Sequence, residues 1–179
     1  MIETARLLIR PWRDTDRPGF VEAMNTPAMM RHFGGVKPAA EFDALIDRQI
    51  ASQAERGYCM WALEHRGDGA LVGICGLQKA LHNQHGPVAG LLETGWRVAE
   101  PFWGQGYARE AAEAAQLWAW ANTPDPTIGA WTHRDNATSW GLMERLGMRR
   151  RPDLDHHHAL YPPEDDTGAM IVYTVDRPR

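Results

Sequence analysis

The chain is 179 residues long, enough for one ordinary domain that buries about 70% of its unfolded surface and too short for a second full one. Apolar residues make up 44% and charged residues 23%, with 17 Gly and 12 Pro dispersed along the chain, which excludes a disordered tail or a fibrous repeat. With 19 Lys plus Arg against 23 Asp plus Glu, the net charge of -4 argues against a nucleic-acid partner or an acidic membrane surface.

Cys59 and Cys75 sit in apolar segments without CxxC spacing, so neither a zinc cluster nor a disulfide framework is expected. No uninterrupted apolar run approaches the ~18 residues of a membrane span, and the opening MIETARLLIRPWRD lacks a secretory signal pattern. The expectation is a single domain over residues 1–179 in the reducing cytoplasm.

TARLLIRP alternates, with Leu7 and Ile9 on one face and Arg6, Leu8 and Arg10 on the other, which predicts a strand ending at Pro11. A helix follows from Asp14, with Pro18 in its first turn and Phe20, Val21 and Met24 on one face; Thr26–Pro27 predicts a second short helix. Beyond Gly34 and Gly35, Ala40, Leu45, Ile46 and Ile50 recur at helical spacing until Gly57, which predicts one longer helix of about four turns. Residues 58–65 and 70–79 read as strands joined by a turn at Asp68–Gly69. After an irregular stretch, 91–98 reads as a third antiparallel strand. The Ala-rich segment 107–122 is a helix that stops before TPDP, with Ala108, Ala111, Ala112 and Ala115 on one face. A strand at 127–133, a helix from Ala137 to Leu146 capped by Asn136 and stopped by Gly147, and a last strand at 168–175 complete the order. Strand, helix, strand after residue 91 implies a parallel crossover between 91–98 and 127–133.

The chemistry concentrates in residues 93–111, where a strand passes through a glycine turn into a helix N-terminus. The first helical turn carries unpaired N–H groups and partial positive charge, and Gly104 and Gly106 let main chain approach a phosphate. A pyrophosphate fits the amides of 104–108, with Arg109 adding a charge-assisted contact. The alternative is a plain tight-turn loop. No GxxxxGK[ST] is present, and GxGxxG fails because Arg109 stands in place of its third glycine.

The run Trp103, Gly104, Gln105, Gly106, Tyr107, Ala108 resembles the acyl-CoA motif of the GNAT acetyltransferases (Gln or Arg, two residues, Gly, one residue, Gly or Ala), departing from it at Trp103. Together with TARLLIRPW, Glu93-x-Gly-Trp96, WGQGYAREA, and Asn136, Ser139, Glu144, Leu146, Gly147 and Met148, the chain is similar to the RimJ/RimL type, which acetylates ribosomal-protein N-termini. The resemblance covers nearly the whole chain.

It implies an α+β fold: a mixed, mostly antiparallel sheet of six to seven strands flanked by helices, with the parallel pair 91–98 and 127–133 splayed around the pantetheine arm of acetyl-CoA. Trp96, Arg97 and Val98 would bond that arm through their main chain, and residues 103–109 would take the diphosphate. Acetyl-CoA is the implied co-substrate and no metal is required.

Transfer to an amine needs a deprotonated nucleophile, a polarised thioester and a proton for the departing thiolate. Alternation places Glu93 on one strand face with Gly95 and Arg97 as the favoured base, with Glu100, His133 or water in reserve. A strand carboxylate paired with arginine is the other reading of Glu93. Ser139 occupies the position that in RimL-like enzymes protonates the thiolate, or serves as a second cap; Asn136 is expected to combine capping with a bond to the cofactor.

The run His156, His157, His158 beside Asp153 and Asp155 reads as a solvated loop ahead of a metal site. Trp118 and Trp120 read as core or subunit contact, and Trp12, Trp61, Trp96 and Trp131 as core or as walls of an acceptor pocket. The expected partners are acetyl-CoA and an amine acceptor, a peptide N-terminus or a small molecule, met by a monomer or a homodimer. Segments 12–37 and 79–89 carry no readable acceptor code. The rival readings are a non-catalytic acyl-CoA-binding module and a nucleotide-binding protein using the same turn.

Overall fold

A computed structural model describes residues 1–80 and 86–178. Residues 81–85, inside the second of the two uncoded segments, lie outside the described residues. The chain divides into two compact units, residues 1–78 with 95–118, and 79–94 with 119–179.

In the first unit, β1 (Ile2–Glu3), β2 (Leu7–Arg10), β3 (Met60–His65) and β4 (Leu71–Lys79) follow one another antiparallel. Next to β4 comes β5 (Leu92–Val98), whose C-terminal half belongs to this unit. Two helices, α1 (Arg17–Met24) and α2 (Ala39–Arg56), bury Phe20, Met24, Phe42 and Ile46. Trp12 packs edge-on against Phe20, and Phe20 against Phe42, with centroids 4.7 and 5.7 Å apart. Leu7, Ile9, Leu63, Val72 and Leu77 complete the fully buried layer.

Close approach demands two of the glycines. A Cβ at Gly73 would lie 2.1 Å from the Arg97 carbonyl oxygen, and one at Gly76 2.2 Å from that of Cys59. Both would push neighbouring strands apart.

In the second unit, the N-terminal end of β5 pairs parallel with β6 (Thr127–His133) at Leu92↔Ile128 and Glu93↔Gly129. β6 pairs antiparallel with β9 (Ala169–Asp176) over seven residue pairs, and the two-residue strands β7 (Arg149–Arg150) and β8 (His156–His157) also join β9. Ala80, Val88 and Val172 form a small core with Leu91, Trp131 and Leu154 against it.

The parallel pair and its crossover agree with the sequence reading. So do α3 (Tyr107–Asn122), whose Ala111, Ala112 and Ala115 are fully buried, and α4 (Ala137–Arg145). Three expectations are corrected. Among the described residues nine strands are present instead of six to seven, because β1, β7 and β8 are two-residue pairings too short to leave a pattern. The His156–His158 run is not simply a loop: His156 and His157 form β8. Residues 26–35 are successive turns in place of a second short helix.

The physical reason for the turns is long-range. Asn25 Nδ2 donates to the Lys37 carbonyl at 2.7 Å and Lys37 N–H donates to Asn25 Oδ1 at 2.9 Å, closing the base of a loop whose Met29 and Met30 are buried.

Candidate functional site

The first unit contains the glycine turn. A 3-10 turn at Glu100–Phe102 leads from β5 to Trp103, and Gly104 and Gly106 take φ of +71° and +83°, the left-handed region that glycine enters without a Cβ clash. A Cβ at Gly104 would meet nothing within 4 Å, and one at Gly106 only an Arg6 Nη2 at 3.6 Å. Open space therefore surrounds the turn, and backbone conformation, rather than internal crowding, calls for glycine.

α3 starts at Tyr107, and the Glu110 N–H donates to the Gly106 carbonyl at 3.1 Å. The amides of Tyr107, Ala108 and Arg109 thus precede the first helical bond and are the donors that a helix start offers to an anion. Trp103 is half exposed, and its indole N–H donates to the Val98 carbonyl, joining the turn to the end of β5. Gln105 Nε2 donates to the Pro101 carbonyl at 2.8 Å. Arg109 is exposed and pairs with Glu113 at 2.7 Å, one helical turn on. This donor set of main-chain amides, glycines and an exposed guanidinium fits the diphosphate of a CoA-type ligand.

One residue at this turn escaped the sequence reading. Arg6 Nη1 donates to the Gln105 carbonyl at 2.9 Å and its Nε to Glu110 Oε2 at 2.7 Å, while its guanidinium lies 4.2 Å from the centroid of the Tyr107 ring. Glu110 also accepts the Thr4 hydroxyl at 2.6 Å and the Arg6 N–H at 2.9 Å. Burial works to raise the Glu110 carboxyl, but the bonds from Thr4 and Arg6 outweigh it and hold it below the ordinary value.

Arg97 lies with its guanidinium 4.1 Å from the Phe33 ring centroid, and Glu100 accepts the Thr26 hydroxyl, so both residues grip the 26–35 segment.

In the second unit, Glu93 is half-buried and aligned with Gly129 of β6. At the other end of β6, His133 Nδ1 accepts the Asp135 N–H at 3.2 Å. Asn136 caps α4: its Oδ1 accepts the Ser139 N–H at 3.4 Å, while its Nδ2 donates to Thr132 Oγ1 at 3.0 Å. Since Asn136 already serves this end, the Ser139 hydroxyl is not needed as a second cap; among the described residues it has no hydrogen-bond partner.

Several side chains belong to packing. Trp61 donates to Gln53 Oε1 at 2.8 Å and stacks edge-on with Trp118, centroids 5.2 Å apart, and Trp12 donates to the Met60 carbonyl at 2.7 Å; Trp12 and Trp61 are core residues. No group of three or more His, Cys, Asp or Glu among the described residues is arranged to hold a metal ion. No helix among them is long and apolar enough to cross a membrane.

The family model for the acetyltransferase (GNAT) domain matches residues 6–149. The chain belongs to the GNAT acetyltransferases. It is similar to two proteins of Bacillus subtilis: YkkB, 26% identical over 81% of this chain and 83% of the relative, and the N-acetyltransferase YoaA, 23% identical over 100% and 98%. An acetyltransferase structure from Agrobacterium tumefaciens superposes with a TM-score of 0.78 at 25% identity, covering 97% of this chain and 92% of the other.

Two more distant structures share the GNAT fold. The spermidine N-acetyltransferase of Vibrio cholerae, in complex with CoA and spermine, gives a TM-score of 0.72 at 14% identity, covering 97% of both chains. The Salmonella typhimurium enzyme that modifies the N-terminal serine of a 50S ribosomal protein gives 0.77 at 14%, covering 97% of this chain and 96% of the other. As a GNAT member the chain is an N-acetyltransferase, in a family that moves the acetyl group of acetyl-CoA to an amine.

Proposed function

We propose that residues 1–179 act as one cytoplasmic acetyltransferase domain of the RimJ/RimL type, transferring acetyl from acetyl-CoA directly to a primary amine: a protein N-terminus or a small molecule. The observation that carries this reading is the open glycine turn at the start of α3, with Gly104 and Gly106 both at positive φ. Its amides, with Gln105, Tyr107, Ala108 and Arg109, hold the diphosphate, and the main chain of Trp96, Arg97 and Val98 runs beside the pantetheine, with Trp103 bracing the turn. Asn136 adds a cofactor bond from its place at the cap of α4.

Glu93 is the proposed base and Ser139 the proposed donor to the thiolate. Direct attack is supported by the state of the thiols, since Cys59 and Cys75 are fully buried. An α-amine, with an ordinary pKa near 7.7 to 8.0, is already partly neutral at pH 7, so a single carboxylate suffices as its base.

Free-thiol release from acetyl-CoA, measured across ribosomal-protein N-terminal peptides, polyamines, aminoglycosides and amino acids, tests the proposal. It predicts saturable release with at least one class of amine. Binding of coenzyme A without release on any amine would contradict it and favour a non-catalytic module.

A further inference from the structure

We infer that Arg6 is a positioning residue for cofactor binding: by holding the Gln105 carbonyl it fixes the peptide between Gln105 and Gly106 in the orientation that presents the Gly106 N–H to a diphosphate. The inference rests on the cofactor reading above.

In a trans peptide the carbonyl and the following N–H point in opposite directions. Arg6 Nη1 holds the Gln105 oxygen at 2.9 Å, so the Gly106 N–H points away from Arg6. A glycine at 106 makes the opposite orientation of this peptide accessible, because glycine populates both signs of φ. Without Arg6 the turn would sample both orientations, and only one of them aligns Gly106 with the amides at the start of α3.

Arg6 itself is fixed three ways. Glu110 takes its Nε at 2.7 Å and its Nη2 at 2.7 Å, the Arg6 N–H donates to the other Glu110 oxygen, and the guanidinium lies over Tyr107. Because Glu110 balances its charge, Arg6 acts through the geometry of its planar fork instead of as a free cation attracting the ligand.

That distinction sets the experiment. Arg6→Lys keeps the charge and loses the fork; Arg6→Met with Glu110→Gln removes both charges together and avoids a stranded carboxylate. Coenzyme A affinity is measured by calorimetry, and turnover is compared between acetyl-CoA and S-acetylpantetheine, which lacks the diphosphate. Both variants should bind coenzyme A about tenfold more weakly, the size of one lost charge-assisted bond. Turnover of S-acetylpantetheine should stay unchanged, and amide hydrogen exchange at Gly106 and Tyr107 should quicken in the unliganded protein.

Rescue by Arg6→Lys would overturn the orientation argument, as would unchanged affinity in both variants. An equal loss with both acyl donors would reduce Arg6 to a general structural role and overturn it too. If the wild-type protein itself fails to bind coenzyme A, the cofactor reading fails instead.

Discussion

Burial pushes the Cys59 thiol up to about 12 and the Cys75 thiol higher still, so neither supplies thiolate near neutral pH. Ellman's reagent should leave the native protein unlabelled and report two thiols only after unfolding; rapid labelling of the folded protein would reopen an acyl-enzyme route. Ser139 and Glu93 carry the opposite expectation. Ser139→Ala and Glu93→Gln should each lower kcat by about 100-fold, within the usual range for general acid–base groups, while coenzyme A affinity stays within error. Loss of affinity in step with rate would assign them to binding instead. Neither role was legible beyond the family resemblance, and Arg6 was not legible at all. Its bond to Gln105 joins residues 99 apart in the chain, and alternation alone placed it as one more outward strand residue.

Local signals decided which elements could be read in advance. α3 is an unbroken Ala-rich period with a Pro-containing stop, α4 has a side-chain cap and a left-handed Gly147 behind it, and β6 lies between breakers; all three match the sequence reading closely. The 26–35 segment misled because Thr26–Pro27 looks locally like a helix start, whereas Asn25, Glu100 and Arg97 hold it in turns from outside. Two substitutions separate conformation from contact at this scale. Gly106→Ala should destabilise by about 1 kcal/mol, because its φ of +83° suits no Cβ, and should weaken coenzyme A binding as well. Asn136→Ala should cost about 1 kcal/mol through the lost α4 cap, with Asn136→Asp recovering most of that in thermal unfolding. If Asn136→Asp restores stability but not coenzyme A affinity, the cofactor bond of Asn136 is separate from its cap.

Stability of the whole molecule should fall with acidity in two stages. Burial holds His156 below the ordinary histidine value of 6.5 despite the Leu154 carbonyl and the Asp155 charge, and burial followed by the like charges of His156 and His157 does the same at His158. The unfolded chain binds those protons first, so the contribution is complete above 6.5 and is lost as pH falls below it. In the first unit Arg10, only 4% exposed, holds Asp16 through two 2.8 Å bonds and reaches Glu64 at 2.6 Å. Burial raises the Asp16 carboxyl, and the bonds from Arg10 and Arg13 more than offset this, leaving it below its ordinary 3.8. Its contribution, with that of Glu110, is present above the ordinary carboxylate range and disappears as pH drops through the lowered values. Thermal midpoints measured from pH 8 to pH 3 should therefore decline gently below 6.5 and steeply below about 4. A profile flat down to pH 3 would contradict the assignment.

Calorimetric titration of coenzyme A into the wild-type protein and into Gly106→Ala, with pantetheine as the comparison ligand, bears most directly on the claim that the turn before α3 binds the diphosphate. Saturable heat at one site for coenzyme A, reduced in the variant, with pantetheine bound equally by both proteins, is the predicted result. No heat with the wild type, or coenzyme A bound equally well by Gly106→Ala, would contradict it.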